Sequence, residues 1–174
     1  VFLPPWSKYW GPLQLHPTKI DIPEEKRVEL IALLQGTLTE AIDLKLQSKQ
    51  AHWNVRGPDF IALHELFDQV AGIVEAFVDE LAERMTTLGG VANGTLSFIA
   101  EQTNLPTYSA ELVSGAEHVD ALSSSLASFA KLVRENIDKA AELGDADTED
   151  LLTEVSRGID QQLWFVEAHN HADA

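Results

Sequence analysis

His64-Glu65-Leu66-Phe67-Asp68 and, further along the same stretch, Asp79-Glu80-Leu81-Ala82-Glu83 decide how this chain folds. Each segment begins and ends on a residue able to bind a metal, at i, i+4 spacing, so a helix offers both ends from one face. At about 100° per residue, positions 64, 68, 79 and 83 fall within roughly 100° of the helical wheel. All four point the same way. Yet Asp68 and Asp79 are about 16 Å apart along the axis at ~1.5 Å per residue, and metal–ligand bonds are only about 2 Å. One straight helix cannot wrap both pairs around one ion. An antiparallel copy of the helix, related by a two-fold axis near residues 73 and 74, resolves this. Each His64/Asp68 pair then faces the other copy's Asp79/Glu83 pair, giving two equivalent sites about 22 Å apart. Gly72, beside that axis, has no side chain to hold two helices apart. The competing reading is a solvated acidic face on an acidic protein, and spacing alone leaves both open.

Working outward, the helix that carries these residues is expected from Gly57-Pro58-Asp59 to the stop at Gly89-Gly90, a length of about 45 Å. Before it, a first helix is predicted from Pro23, with Glu24 and Glu25 in its first turn, to about Ala51. Val28, Ile31, Leu34, Leu38 and Ile42 keep helical spacing through it. After it, a short helix is expected at Leu96 to Ala100. A third long helix runs from Ser109, read as its N-cap, to Leu143 before Gly144. A fourth starts around Asp147-Thr148-Glu149-Asp150 and reaches about His169. Strand alternation is scarce. The expectation is an all-α fold: a ferritin-like four-helix bundle with a short helix in the long crossover between the second and third long helices. The bundle takes residues 23–170. Residues 1–22 form a tail dense in proline (Pro4, Pro5, Pro12, Pro17) and aromatics (Phe2, Trp6, Tyr9, Trp10), read as packing on a surface, and 171–174 form a C-terminal tail.

Composition narrows the functions available. The 174 residues carry a formal net charge of −16, which favours cations and disfavours DNA and anionic membranes. There are no cysteines, which excludes thiolate metal sites and thiol catalysis and suits a protein that meets oxidants. No apolar run reaches the ~18 residues of a membrane span. The first residues lack the basic and apolar regions of a signal peptide, and no initiator methionine is present, so the natural N-terminus is expected upstream.

Lys49-Gln50-Ala51-His52-Trp53-Asn54-Val55-Arg56-Gly57-Pro58-Asp59-Phe60, the two ligand segments, Leu88-Gly89-Gly90 and Leu163-Trp164-Phe165-Val166-Glu167-Ala168-His169 together resemble the Dps mini-ferritins over residues 24–170. The resemblance implies a cytoplasmic shell of twelve identical bundles, with nucleoid association in some members. Such a shell oxidises Fe(II), chiefly with hydrogen peroxide, at sites between two-fold-related subunits and stores Fe(III) mineral inside. It implies His52, His64 and Asp68 from one chain facing Asp79 and Glu83 from its mate, with Zn(II) or another divalent ion competing for the same donors. Carboxylates and imidazole suit Fe(II) and leave room for peroxide. Ferritin-like di-iron bundles instead use Glu-x-x-His inside one subunit, and this sequence contains none.

Trp53, next to His52, is either an electron donor or an interface packing residue. Asp145, Asp150 and Glu154 match acids that line three-fold pores in the family; read locally, the acids around residue 147 also suit a helix N-terminus. Glu65 and Glu75 are further acids for nascent mineral or for solvent. His16, His118 and the pair His169-x-His171 read as ordinary histidines. The competing function is a nucleoid protein that compacts DNA. With only Lys8 and Lys19 in the tail, few phosphates can be neutralised, so duplex binding is expected to be weak.

Overall fold

The computed structural model describes residues 15–170. Five α-helices follow in order: α1 Glu24–Asn54, α2 Phe60–Thr87, α3 Leu96–Gln102, α4 Gly115–Leu143 and α5 Ala146–Glu167, with a closing 3-10 turn at Ala168–Asn170. The four long helices form a bundle in which α1 packs on α2 and α4, and α5 packs on α4 and α2. Loops as short as 55–59 and 144–145 make α1/α2 and α4/α5 antiparallel neighbours. Apolar residues at helical spacing fill the centre: Leu30, Leu34, Phe67, Val74, Leu122, Phe129, Val155 and Ile159 are fully buried. Among the described residues no helix is long and apolar enough to cross a membrane.

Glycines end the helices where the chain must turn. Gly144 adopts φ 78°, and behind it the Gly144 and Asp145 amides return to the Ala141 and Ala140 carbonyls. Gly89 adopts φ 93°, and a Cβ there would meet the His16 carbonyl oxygen at 2.6 Å. The His16 amide donates to the Gly89 carbonyl at 2.8 Å, and Leu15 and Ile22 pack against the core. Residues 15–22 of the tail thus lie on their own protomer. Phe2, Trp6, Tyr9, Trp10 and the C-terminal His171 fall outside the described residues.

The third long helix begins later than expected. Its N-cap is Ser114, not Ser109, because Ser114 and Glu117 complete a reciprocal capping box. The Ser109 hydroxyl merely accepts from the Glu111 amide in the loop before it. The first helix runs three residues beyond Ala51, which places His52 and Trp53 on its last turn.

α1 is covered on two sides, by the bundle and by the crossover. Gln35 donates to the Asn93 carbonyl and accepts from the Asn93 amide, both at 2.9 Å, and Thr103 donates to Asp43 at 2.6 Å. On the bundle side, Ser125 donates to Gln47 at 2.6 Å and Asn136 to Thr37 at 2.9 Å. Buried polar groups on α1 therefore have partners, as burial requires. The crossover is held to α1, and the far face of α1 and α2 is left to carry the candidate ligands.

Candidate metal centre

His52 sits in the last turn of α1 and His64 in the second turn of α2, brought opposite by the short loop 55–59. Their rings stack with centroids 3.7 Å apart and planes 22° from parallel. His52 Nδ1 lies 2.6 Å from the His64 carbonyl oxygen, and His64 Nδ1 lies 2.7 Å from the His52 carbonyl oxygen. A carbonyl only accepts, so each Nδ1 carries the hydrogen. In its uncharged form each ring therefore keeps its lone pair on Nε2, the tautomer a metal needs, fixed by the backbone as ligating histidines usually are. The His52 carbonyl is one that α1 leaves unpaired at its end, so the bond from His64 also finishes the helix.

One turn along α2, Asp68 is 54% exposed and bonded to the Lys49 ammonium at 2.6 Å. The bond from Lys49 holds the Asp68 carboxyl below its ordinary value. The same ammonium stands 5.8 Å from the centre of the Trp53 ring, which is itself 64% exposed. Sequence reasoning misses Lys49. Its i, i+4 spacing to Trp53 was the available signal; its reach across to α2 was not readable from spacing.

Asp79 and Glu83 lie farther down α2 on exposed positions. Asp79 shares a shallow depression of about 460 Å³ with Gly72, Glu75, Ala76 and Val78. Glu75 is tied to Lys45 on α1 at 2.7 Å. Among the described residues, no three His, Asp or Glu side chains of one protomer converge closely enough to hold an ion. Each protomer thus carries two partial donor sets at opposite ends of one helix face.

The three candidate pore acids separate. Asp150 and Glu154 are exposed, one turn apart on α5. Asp145 is 4% exposed, and both of its carboxylate oxygens accept from Arg84 at 2.8 Å. Thr148 donates to it as well, at 2.5 Å. Burial alone would raise its pKa; the Thr148 hydroxyl and the Arg84 guanidinium outweigh that and hold it below its ordinary value. Within the protomer Asp145 is an internal tie between α2 and α5, so the surface acids here are Asp150 and Glu154. Among the other histidines, His16 is exposed and His169 Nδ1 donates to the Phe165 carbonyl at 2.8 Å, closing its own helix. His118 is buried beside Tyr108.

The ferritin-like domain family matches residues 31–172. The DNA protection during starvation protein of Agrobacterium fabrum is 40% identical over 157 residues, covering 90% of this chain and 97% of that one. The chain belongs to the Dps family. A solved Dps from Mycobacterium smegmatis superposes with a TM-score of 0.84 at 34% identity, covering 88% of this chain and 94% of that one. The Dps of Microbacterium arborescens, solved in what is described as the high iron form, gives 0.80 at 30% identity over 90% and 98%. The bundle with its crossover helix is thus the Dps fold. The HWN stretch and both ligand segments lie within the span matched by the ferritin-like family.

Proposed function

We propose that this Dps protein oxidises Fe(II) with hydrogen peroxide or oxygen at sites shared by two protomers and stores the ferric product in a dodecameric shell. The observation that carries the reading is the divided donor set. His52 and His64 are locked with Nε2 available, and Asp68 lies beside them. Asp79 and Glu83 stand at the other end of the same α2 face, out of reach within the chain. An antiparallel copy across Gly72 brings the two halves together, twice per dimer. The high iron form described for the Microbacterium arborescens relative supports iron as the substrate.

The donors suit the reaction. Carboxylates and imidazoles bind Fe(II), and hard oxygen donors favour Fe(III) as it forms. Two Fe(II) ions give one electron each, and one peroxide takes both with two protons to become two waters, releasing no hydroxyl radical. Before iron arrives, Lys49 is the counter-ion of Asp68, and a metal must displace it. Asp150 and Glu154, repeated around a three-fold axis, would raise the local concentration of Fe(II) at a narrow passage. The relatives' name points to DNA, but the charge of −16 per chain opposes phosphate contact.

Fe(II) followed by peroxide should leave a soluble ferric core with the protein and suppress spin-trapped hydroxyl radical. Iron that precipitates outside the protein, at the rate of a protein-free control, would sink the proposal.

A further inference from the structure

Behind the metal-facing surface lies a phenol–imidazole pair, His118 buried and Tyr108 half-buried, that the ligand set does not use. Tyr108, in the crossover, places its hydroxyl 2.7 Å from His118 Nδ1 on α4. His118 is 1% exposed, and its Nε2 has no hydrogen-bond partner. The Tyr108 and His118 rings stack with centroids 6.0 Å apart. On its other side His118 meets Phe67 at 6.4 Å. Phe67 is fully buried on α2 and immediately precedes Asp68. Three rings therefore connect the turn of α2 that bears a candidate ligand, through the core, to a half-buried phenol with a base attached.

Burial pushes the Tyr108 phenol up and the His118 imidazole down, so at neutral pH the first keeps its proton and the second is uncharged. With the phenol donating to Nδ1, the one imidazole hydrogen sits on Nε2. The reverse arrangement would leave the phenol hydrogen and Nε2 both without a bond. A phenol that loses an electron becomes a strong acid. A base already in hydrogen-bond contact takes the proton in the same event. Trp53 is less suited to giving up an electron, because the Lys49 ammonium stands over its ring.

We propose that Tyr108 is a redox-active residue that supplies the second electron to peroxide when only one Fe(II) occupies a site, its phenol proton passing to His118 Nδ1. The inference rests on the ferroxidase reading above. The step balances. Fe(II) and Tyr108 each lose one electron, and hydrogen peroxide takes both with two solvent protons to give two waters. What remains is Fe(III), a neutral tyrosyl radical and an imidazolium at His118. Without that second donor, a lone Fe(II) reduces peroxide by one electron and releases hydroxyl radical. Tyr108 thus protects a half-filled site.

The chain has two tyrosines, Tyr9 and Tyr108, so electron paramagnetic resonance can assign the signal. Assembled protein is loaded anaerobically with less than one Fe(II) per site, mixed with peroxide and frozen. A tyrosyl radical is expected in wild type and in Tyr9→Phe, and should be lost in Tyr108→Phe, where spin-trapped hydroxyl radical rises. In His118→Gln the yield should fall and the spectrum shift with the loss of the imidazole bond. If Tyr108→Phe does not assemble, Tyr9→Phe protein made with ring-deuterated tyrosine carries the test: its signal must narrow. Fe(II) oxidised without any tyrosyl signal, a signal that survives Tyr108→Phe, or one unchanged by deuteration overturns the proposal. Fe(II) oxidised no faster than in buffer overturns the ferroxidase reading first, and this inference with it.

Discussion

Co-assembly of two crippled chains tests the divided site with a definite yield. One chain carries Asp79→Ala/Glu83→Ala and keeps His52, His64 and Asp68; the other carries His64→Ala/Asp68→Ala and keeps Asp79 and Glu83. Either chain alone builds no complete site under any pairing. Random pairing about a two-fold axis makes about half of the dimers mixed. A mixed dimer joins the intact halves at one site and the two broken halves at the other. One complete site in two, in half the dimers, is about a quarter of the wild-type number. The two sites of a dimer stand about 22 Å apart, beyond the ~7–10 Å over which substitutions usually couple, so the complete one should work at close to its normal rate. Stopped-flow absorbance of peroxide-driven Fe(II) oxidation, normalised to protein, should give about a quarter of wild-type activity for the mixture and background for each parent. Co(II) titration should give the same fraction of sites without any redox step. A mixture no more active than its parents, with co-assembly verified by mass, would refute the shared geometry.

Asp145→Ala strips Arg84, itself only 15% exposed, of its bidentate partner and leaves it the exposed Asp147 at 3.8 Å; breaking such a buried pair costs about 3–5 kcal/mol, and at fixed protein concentration Tm should fall by roughly 6–20 °C. Because the folded pKa of Asp145 is lowered, its contribution is complete above the ordinary aspartate value near ~3.9 and fades as pH falls through the lower folded value; the Tm gap between wild type and Asp145→Ala should therefore close only in strong acid, and a gap that closes near neutrality would contradict this. Asp150→Asn with Glu154→Gln should slow iron uptake at low Fe(II) but little at high Fe(II), while wild-type uptake slows with salt; equal rates at every concentration would leave these acids without a role in passage. Duplex DNA at ~150 mM salt should run unretarded with sub-micromolar protein, and saturable retardation would show a binding surface that the charge argument misses.

Periodicity and punctuation carried the fold. Gly144 and Gly89 mark helix ends in the sequence because only glycine takes their positive φ easily. The start of α4 is ambiguous in the sequence because two serines compete there, and only Ser114 has a glutamate three residues on. The ligand positions were legible because they repeat along one helix. What surrounds them was not. Lys49 reaching Asp68, His52 and His64 exchanging carbonyls, and Arg84 holding Asp145 all cross from one helix to another. Their geometry depends on how two helices sit together, and no spacing within one helix encodes that. Asp145 shows the cost: read as one of three similar acids, it is the one whose charge is already spent inside the protomer.

The exchanged carbonyls of His52 and His64 bear on how such a site can drift during evolution. A change at either position removes a candidate donor and, in the same stroke, a stacking partner and a tie between the end of α1 and the start of α2. After the first loss the second costs less, since much of the junction is already gone, so the two substitutions should be strongly non-additive. Positions 52 and 64 then behave as a single locus under selection. A lineage that abandons iron chemistry here would be expected to lose both histidines together and to rebuild the 55–59 turn as it does so.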